Sequence, residues 1–210
     1  MNIDQVIDIL SKKVKQSPEP MTREIVFLYG RDPYLILISC LLSLQTRDTV
    51  TLPVSIKLFK KVKTPTELLA LPLKDLERVI KSINYYKTKA QRLRSVSQEL
   101  LDRFDGNVPD TVQDLRSIKG VGLKTANLVL AEAFNIPAIC VDTHVHRLSN
   151  HWGLVKTRTP DQTEVELCKI LPKKYWIDWN YLLVKWGQNF CKRDTVDCSL
   201  CVDISKLLRS

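Results

Sequence analysis

The pattern of apolar and polar positions is helical almost from end to end. Residues 3–15 predict an amphipathic opening helix, which Pro18 and Pro20 then break. The run Tyr34 to Leu42 is apolar all round, so it reads as a buried helix or strand, and its surroundings favour helix. Thr64-Pro65-Thr66-Glu67 and Pro72-Leu73-Lys74-Asp75 carry helix-start signals, with acidic residues in the first turn. Residues 88–104 predict a second amphipathic helix, ended by Asp105-Gly106-Asn107. From Ser117 the chain makes a turn and then becomes apolar and Ala-rich through Phe134, which reads as another helix. No internal repeat or low-complexity linker interrupts this grammar. The expected fold class is all-α.

Composition narrows the function without naming it. A chain of 210 residues can form one large domain or two small ones. Its net charge of +9 favours a polyanionic partner, a signature shared with ribosome-associated and membrane-surface proteins. No apolar stretch is long enough to span a membrane, and Met1-Asn2-Ile3-Asp4 lacks a signal-peptide pattern. A soluble intracellular protein is expected, with no membrane partner. Glycine and proline are too few for a fibrous or disordered chain.

The sharpest chemical signal is Gly120-Val121-Gly122 followed by Lys124, with Asp142 downstream. Glycine lets backbone approach a ligand closely and reach positive φ. The first amides of the following helix have no intrahelical partner and point at whatever anion sits there. A phosphodiester fits. An amine in the first turn feels the positive end of the helix dipole, and partial burial would add to that, both favouring its neutral, nucleophilic form. Asp142 follows the turn at Asn135-Ile136-Pro137. An extended return to the helix start is feasible, given about 1.5 Å per helical residue against about 3.3 Å per extended one. Asp142 would then face Lys124. Taken singly, each feature has an ordinary reading: a common turn, a solvated lysine, and an aspartate that caps a helix through Leu148.

Together these residues resemble the helix-hairpin-helix DNA glycosylases of the endonuclease III family. The matching motifs are Ile118 to Ala126, Val141-Asp142-Thr143-His144, Leu42-Ser43-Leu44-Gln45-Thr46-Arg47-Asp48 and Trp186-Gly187-Gln188-Asn189-Phe190-Cys191. They occur in family order, and the resemblance runs from about residue 5 to Cys201. It implies two helical lobes with a DNA-binding groove between them. One would be a helical barrel over 24–133, carrying the hairpin and Lys124. The other would combine 1–23 with 134–210, carrying Asp142, so the boundary is discontinuous in sequence.

The resemblance also implies site roles. Lys124 and Asp142 would be catalytic. Gly120, Val121, Gly122, Thr143 and His144 would contact DNA. Gln45 would fill the gap left by a flipped-out base, although by itself it could be a buried, satisfied amide. Tyr85, in Ile83-Asn84-Tyr85-Tyr86-Lys87, takes the wedging-loop position, where an exposed aromatic could insert between base steps or simply cover a helix end. His144, His146 and His151 fall within eight residues but do not share one helical face, so hydrogen-bonded or solvated roles are preferred to a metal site. Trp176, Trp179 and Trp186 are read as packing residues.

Six cysteines divide into two groups. Cys40, Cys140 and Cys168 stand in apolar or helical contexts and read as small core residues. Cys191, Cys198 and Cys201 cluster in a polar stretch, which in an intracellular protein favours a metal centre over disulfides. The family implies a [4Fe–4S] cluster on four cysteines spaced Cys-x6-Cys-x2-Cys-x5-Cys. Here the fourth place is Leu207, which cannot ligate iron. An oxygen from Asp203 or Ser205, a water, or a missing iron corner could complete the site. A lost cluster and a zinc site are the alternatives.

The function implied is a bifunctional DNA glycosylase and abasic-site lyase acting as a monomer on damaged double-stranded DNA. Its expected targets are oxidised or ring-saturated pyrimidines. Two rivals are a non-catalytic helix-hairpin-helix DNA-binding module and a monofunctional mismatch glycosylase. The adenine-mismatch branch carries a catalytic glutamate where Cys40 stands and lacks the lysine, which argues against the second rival.

Overall fold

The computed structural model describes residues 2–191 and 199–209, all of whose regular elements are helical. In chain order these are α1 (Ile3–Val14), α2 (Met21–Tyr29), α3 (Pro33–Ser43), α4 (Asp48–Phe59), α5 (Pro65–Ala70) and α6 (Leu73–Val79). They continue with α7 (Tyr86–Phe104), α8 (Val112–Ser117), α9 (Leu123–Phe134), α10 (Thr143–His151) and α11 (Pro160–Ile170). A short 3-10 turn at Lys173–Tyr175 leads into α12 (Trp176–Asn189), and α13 (Ser199–Arg209) ends the chain.

These helices form two compact units. A central unit spans Met21–Ile136, and a terminal unit joins Met1–Pro20 to Pro137–Ser210.

In the central unit the all-apolar run is the buried helix α3. Every residue from Tyr34 to Leu42 is buried, and Asp32 caps it by accepting from Leu35 N at 3.0 Å. Such a helix has no polar face to offer water, so it must be enclosed. It packs on α2, α4, α7 and α9. Thr64 and Thr111 cap α5 and α8 through their hydroxyls, and Pro65 sits in the first turn of α5, where its missing N–H costs nothing. The long helix α7 ends at Asp105 (φ 53°) and Gly106 (φ 77°), both left-handed.

In the terminal unit the core is built around Trp152, Trp179 and Trp186. Trp152 meets Trp179 and Trp186 edge-on, with ring centroids 6.5 and 6.2 Å apart. Ile3, Val6, Leu10 and Val14 supply the apolar stripe of α1 against them. Trp176 is half-buried and donates Nε1–H to Leu171 O at 2.9 Å. Lys185 is fully buried within α12, where its ammonium donates to Glu19 Oε1 at 2.7 Å and Tyr181 Oη at 3.0 Å.

Candidate active site

The glycine turn joins α8 to α9 and makes a helix-hairpin-helix. Ile118 and Val121 are buried beneath it, and Val121 N donates to Ile118 O at 3.0 Å to close the turn. Gly120 has φ +95°, a conformation L side chains rarely adopt. Three side chains of α7 brace the hairpin. Arg92 lies over Gly120, Glu99 accepts from Lys119 N at 3.3 Å, and Arg103 donates to Ser117 Oγ at 2.7 Å.

Gly122 is the N-cap of α9, in extended conformation, and no side chain caps that end. The first amides of α9 therefore keep the character of an anion site. Lys124 is the second residue of α9. It is exposed rather than partly buried as expected, since Thr125 and Ala126 take the inward side of that turn. Cys40 of α3 is buried, and burial pushes its thiol up to about 12, with the positive charge of Lys124 opposing the rise.

Two exposed tips stand elsewhere on the central unit. Gln45, just past α3, has φ 55°, and Tyr85, just before α7, has φ 58°. Gln45 is therefore an exposed amide, not a buried one. Tyr85 is 69% exposed. Non-glycine residues at positive φ carry strain and persist where neighbours enforce it.

Asp142 belongs to the terminal unit and is the N-cap of α10. Its Oδ1 accepts from His144 N at 2.9 Å and Val145 N at 2.8 Å. The capping reading is thus realised, with Oδ2 outside the cap. Thr143 is exposed, whereas His144 is half-buried against Gly187 of α12. His146 meets Thr163 Oγ1 at 2.6 Å, and His151 ends the helix.

Residues 38–173 match the description "HhH-GPD superfamily base excision DNA repair protein". Endonuclease III of Thermotoga maritima is 44% identical over 87% of this chain and 88% of its own length. The chain belongs to the endonuclease III family. A solved endonuclease III–DNA complex, non-covalent, superposes with a TM-score of 0.83 at 33% identity, covering 99% of this chain and 97% of that one. A trapped covalent endonuclease III–DNA intermediate gives 0.82 at 33% identity, over 95% and 94% of the two chains.

The C-terminal cysteines number three, one fewer than the cluster set the resemblance implies. Cys191 and Cys201 are both buried in the core of the terminal unit, and Arg147 donates to Cys191 Sγ at 3.3 Å. Cys198 lies outside the described residues. Leu207 packs its side chain against the same core, and its carbonyl accepts from Asn2 N at 3.1 Å. Asp203 faces solvent, and Ser205 is half-buried. Among the described residues no group of three or more His, Cys, Asp or Glu is placed to hold a metal. Among the described residues, Leu207 at the fourth place of the spacing supplies no thiolate for a four-cysteine cluster.

The chemistry of Lys89 escaped the sequence. It lies on the apolar face of α7 with Ala90, Leu93, Val96 and Leu100, and is 4% exposed. A lysine at a core-facing position of an amphipathic helix is a readable signal, because such a group must find partners. Gly187 escaped too; a Cβ there would stand 2.3 Å from His144 Nδ1.

Proposed function

We propose that Lys124 is the nucleophile and Asp142 its electrostatic partner in base excision from damaged double-stranded DNA. The chain is a DNA glycosylase and abasic-site lyase of base excision repair. In this reading the Gly120-Val121-Gly122 hairpin holds a phosphodiester through backbone amides, with Thr143 and His144 as further DNA contacts. The damaged nucleotide, an oxidised or ring-saturated pyrimidine, leaves the stack, Gln45 fills the space it vacates, and Tyr85 inserts between base steps.

The Lys124 amine then forms a bond to the sugar C1′ as the C1′–N bond to the base breaks, and the base leaves with that electron pair and a proton. Asp142 stabilises the positive charge that develops on the sugar. The nitrogen then gives up one proton, O4′ takes one up as the ring opens, and the resulting iminium keeps its remaining N–H. Loss of a C2′ proton then expels the 3′ phosphate by β-elimination, and water releases Lys124. Every step uses an amine, a carboxylate and water, so the reaction needs no redox cofactor.

An exposed lysine in the first turn of a helix whose glycine N-cap has no side-chain cap carries this reading. The trapped covalent complex of the related endonuclease III supports it by likeness. Borohydride reduction on abasic DNA is the test. It should join wild-type protein to DNA and fail with Lys124→Gln, while binding of the variant stays within a modest factor, because backbone amides and other basic residues hold the phosphates. Trapping that survives in Lys124→Gln would make another amine the nucleophile.

The cofactor reading is a [4Fe–4S] cluster on Cys191, Cys198 and Cys201 with a fourth ligand other than cysteine. The spacing of the three thiols supports it. Its role would be structural.

A further inference from the structure

Lys89 ties the two exposed tips of the central unit to each other. Its backbone N–H donates to Tyr85 O at 2.9 Å, where α7 begins. Its ammonium donates to Leu42 O at 2.8 Å, to Leu44 O, and to Thr46 Oγ1 at 3.1 Å. Leu42 and Leu44 end α3, where carbonyls lack intrahelical partners and the helix dipole is negative. Gln45 stands between two of these acceptors, Leu44 and Thr46.

Asn84 makes the second tie. It precedes Tyr85, and its Nδ2 donates to Gln45 O at 2.5 Å while its backbone N–H donates to Thr46 Oγ1 at 3.3 Å. Both tips are therefore held at positive φ by bonds that run from one to the other. Neither is a free loop.

We propose that Lys89, assisted by Asn84, is a positioning residue that keeps Gln45 and Tyr85 as a single preformed two-pronged wedge for opening duplex DNA. This rests on the reading of Gln45 and Tyr85 as the residues that enter the duplex. Ordering two strained tips at the moment of base extrusion would be costly, and a wedge already set in the free protein avoids it. Burial and the neighbouring Arg92 lower the pKa of Lys89 to about 8. The amine suits either state: protonated it donates to all three oxygens, and neutral it donates to both carbonyls and accepts from the Thr46 hydroxyl.

The test compares a lesion paired in duplex DNA with an abasic site in single-stranded DNA, which needs no extrusion. Base extrusion is followed by 2-aminopurine fluorescence next to the lesion. Lys89→Met should slow extrusion and excision in the duplex by about tenfold, the worth of one charge-assisted hydrogen bond. Lyase activity on the single strand should stay within about twofold, because Lys124 is untouched. Asn84→Ala, at an exposed position, should shift the same ratio in the same direction by less, so a Lys89 variant that fails to fold does not end the test. Equal losses on both substrates, or a duplex rate unchanged in either folded variant, would overturn the proposal. Gln45→Ala with Tyr85→Ala separates the two ideas. If that pair extrudes the base normally, the wedge reading itself fails, whatever Lys89 does.

Discussion

Gly120 lies beneath Arg92: a Cβ on Gly120 would stand 3.0 Å from Arg92 Cδ, while one on Gly122 would meet nothing within 4 Å. Two glycines of one hairpin are thus kept for different reasons. The first answers to the fold, through its φ of +95° and the guanidinium side chain packed over it. The second has room for a side chain in the protein alone, and in the proposed reading an approaching phosphate is what requires its bareness.

Substitution should separate these two reasons. Gly120→Ala should lower stability by about 1–3 kcal/mol, the usual cost of a strained backbone position, seen as an earlier denaturant midpoint. Gly122→Val should leave that midpoint in place and weaken binding to damaged and undamaged duplexes alike. A loss confined to one lesion would move Gly122 from phosphate contact to base recognition.

Asp142 has two duties that a single substitution can divide. Its Oδ1 caps α10, and in the proposed reaction its charge stabilises the sugar cation. Asparagine keeps the cap and loses the charge, so Asp142→Asn should fold with near wild-type stability. Its excision rate should fall by at least about a hundredfold, as when other transition-state contacts are removed. Asp142→Ala should lose a further ~1 kcal/mol of stability for the missing cap. Wild-type excision by Asp142→Asn would remove the carboxylate from the mechanism.

Lys89 predicts a slope of stability against pH. Burial, and then Arg92, lower its pKa in the folded protein from 10.5 to about 8. Between those values the unfolded chain binds more protons than the folded one, so stability rises with pH across that window. Below about pH 8 both states hold the proton and the slope vanishes. Urea midpoints of wild type and Lys89→Met at pH 7, 8.5 and 9.5 give the test. The difference should move in favour of wild type as pH rises, and a constant difference would show that Lys89 does not titrate there.

Helices were legible in this sequence because their signals are local. The stripe of α7, the threonine and proline starts, and the uniformly apolar α3 all follow from spacing within one element. The glycine hairpin and Lys124 were legible for the same reason. What the spacing left hidden is long-range. Lys89 reaches acceptors more than forty residues away, and Gly187 is bare because His144 packs against it from another helix. The exposure of Lys124 was also hidden, since an α9 with apolar residues on several sides does not declare which face its first turn presents. The roles of Gln45 and Tyr85 came from family resemblance, although their strained backbone is visible only in the fold.

Leu207 sets the last prediction. It stands at the fourth place of the cysteine spacing that the family resemblance implies, and its side chain packs against the apolar core of the terminal unit. Leucine offers iron no lone pair, so a cluster here would rest on Cys191, Cys198 and Cys201 with a weaker ligand, or none, at the remaining corner. If those three thiols hold a cluster, protein purified without oxygen should be brown and contain iron and sulfide, and should bleach faster under air or chelator than a four-cysteine relative. Leu207→Cys should slow that loss, unless another residue already serves the corner. The packing of Leu207 adds a cost, because cysteine is smaller and leaves a gap in the core, so the variant should also unfold somewhat earlier. Colourless, iron-free wild-type protein that still cuts damaged DNA would end the cluster reading and leave the chemistry of Lys124 as it stands.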